Sequence, residues 1–139
     1  MDIKKLFLGG IIGGIVYFFL GWLVWGKLLM SFMMEHTNPH AIDIMRPEAG
    51  MVWWAMIVGN IAMGFFISFL LLKSNINDAI GGFMTAAIAA VFLSVGMDCI
   101  MYAQMKLYGT VGIAVDVVAA TIVAGITGAV VGWYRGMGK

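Results

Sequence analysis

The amino-acid sequence predicts an all-α integral membrane protein, a bundle of four transmembrane helices. Of its 139 residues, 63% are hydrophobic and 11% are charged, whereas soluble globular proteins have about 45–50% apolar and about 25% charged residues. The apolar residues form four blocks separated by polar segments. Each block is long enough to cross a bilayer, which takes about 20 helical residues.

The breaks between the blocks define the predicted spans of a single domain, residues 1–139. The first span follows two lysines, as in a signal peptide, but it is too long and has no small-residue cleavage site, so it is interpreted as a retained helix. A loop at about 35–50 holds both prolines and both histidines, "KSNIND" is a tight polar turn, and "KLYGT" offers Thr110 as a candidate N-cap. The spans are predicted at about 6–31, 51–72, 79–105 and 111–134.

Basic residues are unevenly distributed between the two ends of this bundle. The end that bears the termini has Lys4, Lys5, Lys73, Arg135 and Lys139, against Lys27, Arg46 and Lys106 at the other end. An excess of basic residues marks the cytoplasmic side, which predicts an N-in, C-in topology with the 35–50 loop external. Tryptophans near both boundaries are typical of an aromatic belt: Trp22, Trp25, Trp53 and Trp54 outside, and Trp133 inside.

Small residues recur every four positions in the third and fourth spans. Such residues let helix backbones approach closely in lipid, so these two spans are expected to pack along the two stripes, while Val131 is expected on the lipid-facing surface. The first span has a glycine cluster, interpreted as a close helix contact and a candidate dimer seam. The stripes are Gly82, Ala86, Ala90, Ser94 and Asp98, and Asp116, Ala120, Ala124, Gly128 and Gly132; the cluster is Gly9, Gly10, Gly13 and Gly14.

Two acids, Asp98 and Asp116, lie inside apolar runs. Together with Asn60 they are about 9–13 Å from the outer ends of their spans, and Lys27 lies near the outer end of the first span, whereas the inner half is almost purely apolar. An ionised carboxylate facing lipid costs several kcal/mol. Three interpretations stay open: an ion pair with Lys27, an outward-open cavity for a cation, a proton or a polar ligand, or Asp116 as the cap of a shortened helix. If the two acids are close together, they should share a proton.

Other motifs give weaker indications. Met33, Met34, His36 and His40 are ligand types that suit copper, but Pro39 interrupts the helix that would align the two imidazoles. No nucleophile–base pair, zinc motif or phosphate loop indicates an enzyme, and no cofactor is predicted. The net charge of +1 indicates no nucleic-acid partner.

The segment "FLGWLVWGKLLMSFM" and the rhythm of "MDCIMYAQMKLYGTVGIAVDVVAATIVAGITGAVVGWY" are similar to an uncharacterised bacterial family, domain of unknown function 1761. That resemblance covers about half of the chain. It implies a small four-helix protein of the bacterial inner membrane and brings no established activity.

The sequence therefore predicts a multi-pass protein of the cell membrane with an outward-facing polar pocket within the membrane. Its expected role is a binding or transport module for a small ligand, ion or proton. Lipid surrounds it, and it forms a homo-oligomer or joins partner membrane subunits. The alternative is a structural or accessory subunit of a larger membrane complex.

Overall fold

The protein was analysed as a computed structural model that describes residues 2–137; Lys139, counted above toward the topology, lies outside the described residues. Among residues 2–137, four helices are long and apolar enough to cross a membrane, so the predicted fold class is confirmed. Each begins and ends within three residues of its predicted bounds. The helices are α1 (Ile3–Leu23), α2 (Met30–His36), α3 (Pro39–Ile42), α4 (Trp53–Lys73), α5 (Ala79–Gln104) and α6 (Thr110–Gly136), with a π-helical turn Val24–Leu28 extending α1 and a 3-10 turn Glu48–Gly50.

The four spans, α1, α4, α5 and α6, alternate in direction, so the bundle has two distinct ends. The terminal end carries Asp2, the α4–α5 turn (74–78) and Met137. The loop end carries the π turn, the 29–52 connection with α2 and α3, and the α5–α6 connection (105–109). Large apolar side chains such as Ile80 and Phe92 point outward along the spans, as expected of helices in contact with lipid.

The small-residue seam between α5 and α6 is present. A methyl group added at Gly82 would meet the backbone of Gly128, and one added at Gly128 would meet Gly82 and Ala86. These two antiparallel helices are therefore packed backbone against backbone, which only residues without bulky side chains allow.

The glycine cluster of α1 is also used within the chain, which corrects the expectation of a dimer seam. All four glycines are buried against α4, where Gly10 packs on the ring of Phe65, and Gly13 and Gly14 lie against the backbone around Gly64. A surface already covered by α4 cannot also receive a second copy of the chain.

The expectation that Val131 faces lipid is wrong. Its side chain is 0% exposed and lies against Gly9 and Gly13 of α1. The reason is that α6 is buried on two faces, one toward α5 and one toward α1. The surrounding core also includes Ile67, Leu71, Ala86, Ala90 and Ala124.

Arg135 ties the terminal end of α6 to the α4–α5 turn. It is 4% exposed, its Nε donates to the backbone oxygen of Ile76 at 3.0 Å, and its Nη2 donates to Asn77 Oδ1 at 3.2 Å. In the same turn Asn75 has φ +57°, a left-handed conformation that asparagine tolerates better than most residues.

Candidate functional site

Asp98 is buried at the loop end of α5, with 6% of its surface exposed. Its Oδ1 accepts a hydrogen bond of 3.1 Å from the hydroxyl of Tyr108. The two residues are ten apart in sequence, and they meet because α5 ends at Gln104 and the chain turns back through 105–109 into α6. The first partner of the buried acid is therefore a neutral hydroxyl.

Contacts on two sides hold Tyr108 in this position. The backbone at Thr37 pairs with that at Tyr108, and the amide of Asn38 donates to the Leu107 oxygen at 2.7 Å. On the other side the Tyr108 ring lies on Gly112, where an added Cβ would be 3.1 Å from the ring. Burial, the negative charges of Asp98 and Asp116, and the hydrogen bond to Asp98 all raise the pKa of Tyr108 above its ordinary value. The hydroxyl therefore remains a donor.

Asp116 lies on α6, half-buried, and its Oδ1 accepts a 3.0 Å hydrogen bond from the indole Nε1 of Trp25. Trp25 belongs to the π turn, in which the Leu29 amide donates to the Val24 oxygen at 2.8 Å. A π turn has one more residue than an α-helical turn and often marks a functional site. The side chain of Tyr17, on α1, also lies near Asp116.

The carboxyl groups of Asp98 and Asp116 lie close enough to influence each other. Asp98 Oδ2 is buried and has no hydrogen-bond partner among residues 2–137. Two ionised carboxylates repel and neither can donate, so a hydrogen bond between them can form only when one of them carries a proton. The pair is thus a group of four oxygen atoms with room for one shared proton.

The structure bears on two of the earlier interpretations of these acids, the ion pair with Lys27 and the helix cap. The ion pair with Lys27 is not formed: Lys27 is exposed, with Nζ 5.3 Å from the centroid of the Trp22 ring. The π turn directs Trp25 toward α6 and leaves the ammonium at the surface, where it keeps its water and a cation–π contact. Asp116 does not cap a shortened helix, because α6 already begins at Thr110. The predicted N-cap was also displaced by one residue: Gly109, not Thr110, is the N-cap residue.

The side-chain amide of Asn60 forms its hydrogen bond away from the two acids. Its Nδ2 donates to the Met56 oxygen at 2.7 Å, one turn earlier in α4. Asn60 lies at a similar depth in its span to the two acids, but its amide forms no hydrogen bond to either carboxyl.

A cleft of about 610 Å³ opens at the loop end, lined by residues 35–39, Tyr102 and residues 105–109. Tyr108 belongs both to the cleft wall and to the hydrogen bond with Asp98. The other polar lining side chains include Glu35, His36, Tyr102 and Lys106. Tyr108 therefore connects this cleft to the buried carboxyl.

The predicted copper ligands are distributed over the two short helices α2 and α3. His36 ends α2, where its Nδ1 lies 2.8 Å from the Phe32 oxygen and its ring stacks on Phe32, while His40 lies in α3 after the break at Pro39. Met33 and Met34 lie in α2. No group of three or more His, Cys, Asp or Glu side chains able to hold a metal ion occurs in the part of the chain that is described.

Tyr108 and Trp25 were missed by sequence reasoning. The sequence around Tyr108 predicts a turn. Its hydrogen bond to Asp98 joins residues on either side of the end of α5, so the spacing of residues along a helix could not indicate it. Trp25 resembles the other interfacial tryptophans, and only the π turn separates it from them. A signal for Tyr108 was nonetheless present, because this aromatic residue lies in the short connection between the two spans that hold the acids.

Comparison of the chain with protein-family models, with curated proteins and with solved structures found no match. The resemblance to the uncharacterised bacterial family therefore stays a prediction.

Proposed function

We propose that this chain is a binding or transport module of the cell membrane, in which Asp98 and Asp116 bind a small cationic ligand, an ion or a proton. The observation that supports the proposal is the buried Asp98 Oδ2, which has no hydrogen-bond partner among residues 2–137, while Asp116 lies close by and Tyr108 connects Asp98 to the loop-end cleft. Unsatisfied buried polar atoms are costly, so a ligand that satisfies this oxygen gains binding energy.

The loop end is proposed to face the outside of the cell. Described basic residues at the terminal end are Lys4, Lys5, Lys73 and Arg135, and those at the loop end are Lys27, Arg46 and Lys106. The positive-inside rule then gives an N-in, C-in topology, and a bacterial inner membrane is the location we propose. The cleft and the acid pair would be reached from outside.

The two halves of the bundle differ in a way that favours one-sided binding. In the terminal half the buried hydroxyls are satisfied within the protein: Thr127 donates to Val123 at 2.8 Å and Ser68 to Leu6 at 3.1 Å. Around them Ile67, Leu71 and Val131 fill the core. Transport to the cytoplasm would require this apolar half to open, or a path at the interface of an oligomer.

The test compares the stability of the purified protein at several pH values and in sodium, potassium, magnesium and alkylammonium salts. A ligand at about 100 times its Kd should raise the free energy of unfolding by about 2.7 kcal/mol. We expect one of these conditions to stabilise the wild type and Asp43→Asn, an exposed control acid, but not Asp98→Asn. An equal response in Asp98→Asn would refute the assignment of the site.

One observation favours the alternative of an accessory subunit in a larger membrane complex. An apolar groove of about 470 Å³ runs between the π turn and α6, and its wall includes Leu28, Leu29, Val118 and Ile122. A transmembrane helix of a partner or of a second copy could pack there. Native mass spectrometry of the protein extracted in mild detergent separates a chain that is alone, a homo-oligomer and a complex with other subunits.

A further inference from the structure

The acid pair offers few oxygen atoms to a metal ion. Asp98 Oδ1 accepts from Tyr108 and Asp116 Oδ1 accepts from Trp25, which leaves one oxygen of each carboxyl. The indole N–H is a donor with no lone pair to offer. Hard cations such as Ca²⁺ and Mg²⁺ take about six or more oxygen ligands, so the described side chains fall well short of a cage.

The backbone of α5 and α6 does not make up the difference. Ion sites within membranes commonly use carbonyl oxygens released where a helix is broken. Here α5 is continuous over Ala79–Gln104 and α6 over Thr110–Gly136, so the carbonyls beside both acids are engaged in helical hydrogen bonds. A proton needs only two oxygen atoms, and the pair supplies these.

Tyr108 connects the pair to water. Its side chain lines the 610 Å³ cleft and its hydroxyl donates to Asp98 Oδ1. A hydroxyl both donates and accepts, so it can take a proton on one side while it gives one on the other. Tyr102 lines the same cleft but lies within α5, before the chain turns back, and it forms no hydrogen bond to Asp98.

We propose that the ion taken up by Asp98 and Asp116 is a proton, and that Tyr108 relays it between the loop-end cleft and Asp98. This inference rests on the proposed function and names its ligand. In the uptake step a hydronium ion in the cleft gives a proton to the Tyr108 oxygen and becomes water, while the tyrosine's own proton moves to Asp98 Oδ1. One O–H bond forms and one breaks at the tyrosine, which ends neutral, and the carboxyl pair gains the proton.

Other titratable groups around this path come from three elements. Tyr17 on α1 lies on the Asp116 side. Glu35 and His36 on α2 and Lys106 in the α5–α6 connection line the cleft. Substitutions of these cleft residues change the local proton concentration but leave the carboxyl pair intact, so they serve as further controls.

The experiment is infrared spectroscopy of the full-length protein in detergent. A protonated carboxyl has a C=O absorption that is distinct from that of a carboxylate and shifts in heavy water. We expect this absorption to appear in the mildly acidic range in the wild type and in Asp43→Asn, and to appear only at lower pH in Asp98→Asn and Asp116→Asn, which lack the second carboxyl that shares the proton. Tyr108→Phe should keep the absorption. After a pH jump, however, its absorption should change about a hundredfold more slowly than that of the wild type, which is the low end of what a positioned proton donor contributes. Tyr102→Phe should match the wild type.

The outcomes separate this inference from the proposed function. If the wild type has no protonated carboxyl but a metal or alkylammonium salt stabilises it in an Asp98-dependent way, the proton is the wrong ligand and the binding site stands. If neither is observed, both proposals fail. If Tyr108→Phe exchanges its proton as fast as Tyr102→Phe, the relay is refuted even where the protonated carboxyl is found.

Discussion

The seam between α5 and α6 makes a sharp prediction for the substitution Gly128→Ala. The added Cβ would lie 2.5 Å from the Ala86 Cβ, against 3.4–4 Å for an ordinary contact, and would also meet the Gly82 backbone. A backbone cannot rotate away as a flexible side chain does, so α5 and α6 must separate by about 1 Å.

The cost follows from that separation. A gap of about 0.5–1 Å loses about a quarter to a half of the dispersion attraction across an interface, and overpacking of this kind typically costs about 1–3 kcal/mol. Alanine is favoured over glycine in a helix by about 1 kcal/mol, and this gain offsets part of the destabilisation that the steric clash causes. The propensity gain is removed by comparison with Gly96→Ala on α5, where an added Cβ meets nothing within 4 Å.

The assay is unfolding of both variants by titration with sodium dodecyl sulfate from a mild detergent. We expect Gly128→Ala to have a free energy of unfolding about 1–3 kcal/mol below that of Gly96→Ala, and Gly96→Ala to equal or exceed the wild type. Equal stabilities of the two variants would mean that α5 and α6 are not in backbone contact at this seam.

Three further predictions concern the loop end. Trp25→Phe removes the donor to Asp116 and should cost about 1.5–3 kcal/mol in the same unfolding assay, whereas Trp22→Phe should stay within about 0.5 kcal/mol of the wild type. Because the pKa of Tyr108 is raised, the folded protein keeps a proton that the unfolded chain loses, so the free energy of unfolding should fall as the pH rises above about 10, and less so in Tyr108→Phe. For topology, Asp43→Cys in a Cys99→Ser background should react with an impermeant thiol reagent in intact cells; reaction only after lysis would reverse the orientation.

The sequence was sufficient for the parts of the fold that depend on local properties. Runs of apolar residues set the spans, and four-residue repeats of small side chains identified the contact of α5 with α6, because both patterns are read within one helix. The second buried face of α6, including Val131, was not visible, since in lipid both the outside and the inside of a span are apolar.

The candidate site shows the same division. The two acids were conspicuous because charged groups are rare in spans, but their partners depend on geometry between elements. Tyr108 reaches Asp98 across a turn, and Trp25 reaches Asp116 through a π turn. Lys27 was the expected partner on charge alone, and the structure places that ammonium over Trp22 instead.

The short connection 105–109 and the close seam make α5 and α6 a helical hairpin, which has a consequence for biogenesis. An aspartate at the centre of a lone helix costs about 2.5–3.5 kcal/mol on insertion into the membrane, and two helices that left the translocon separately would each carry a part of that penalty, since their acids lie toward the loop end. When the hairpin is inserted as one unit, each acid arrives already facing the other, so one shared proton removes half of the charge that has to leave water. The glycines of the seam therefore help to deliver the two carboxyls into the bilayer.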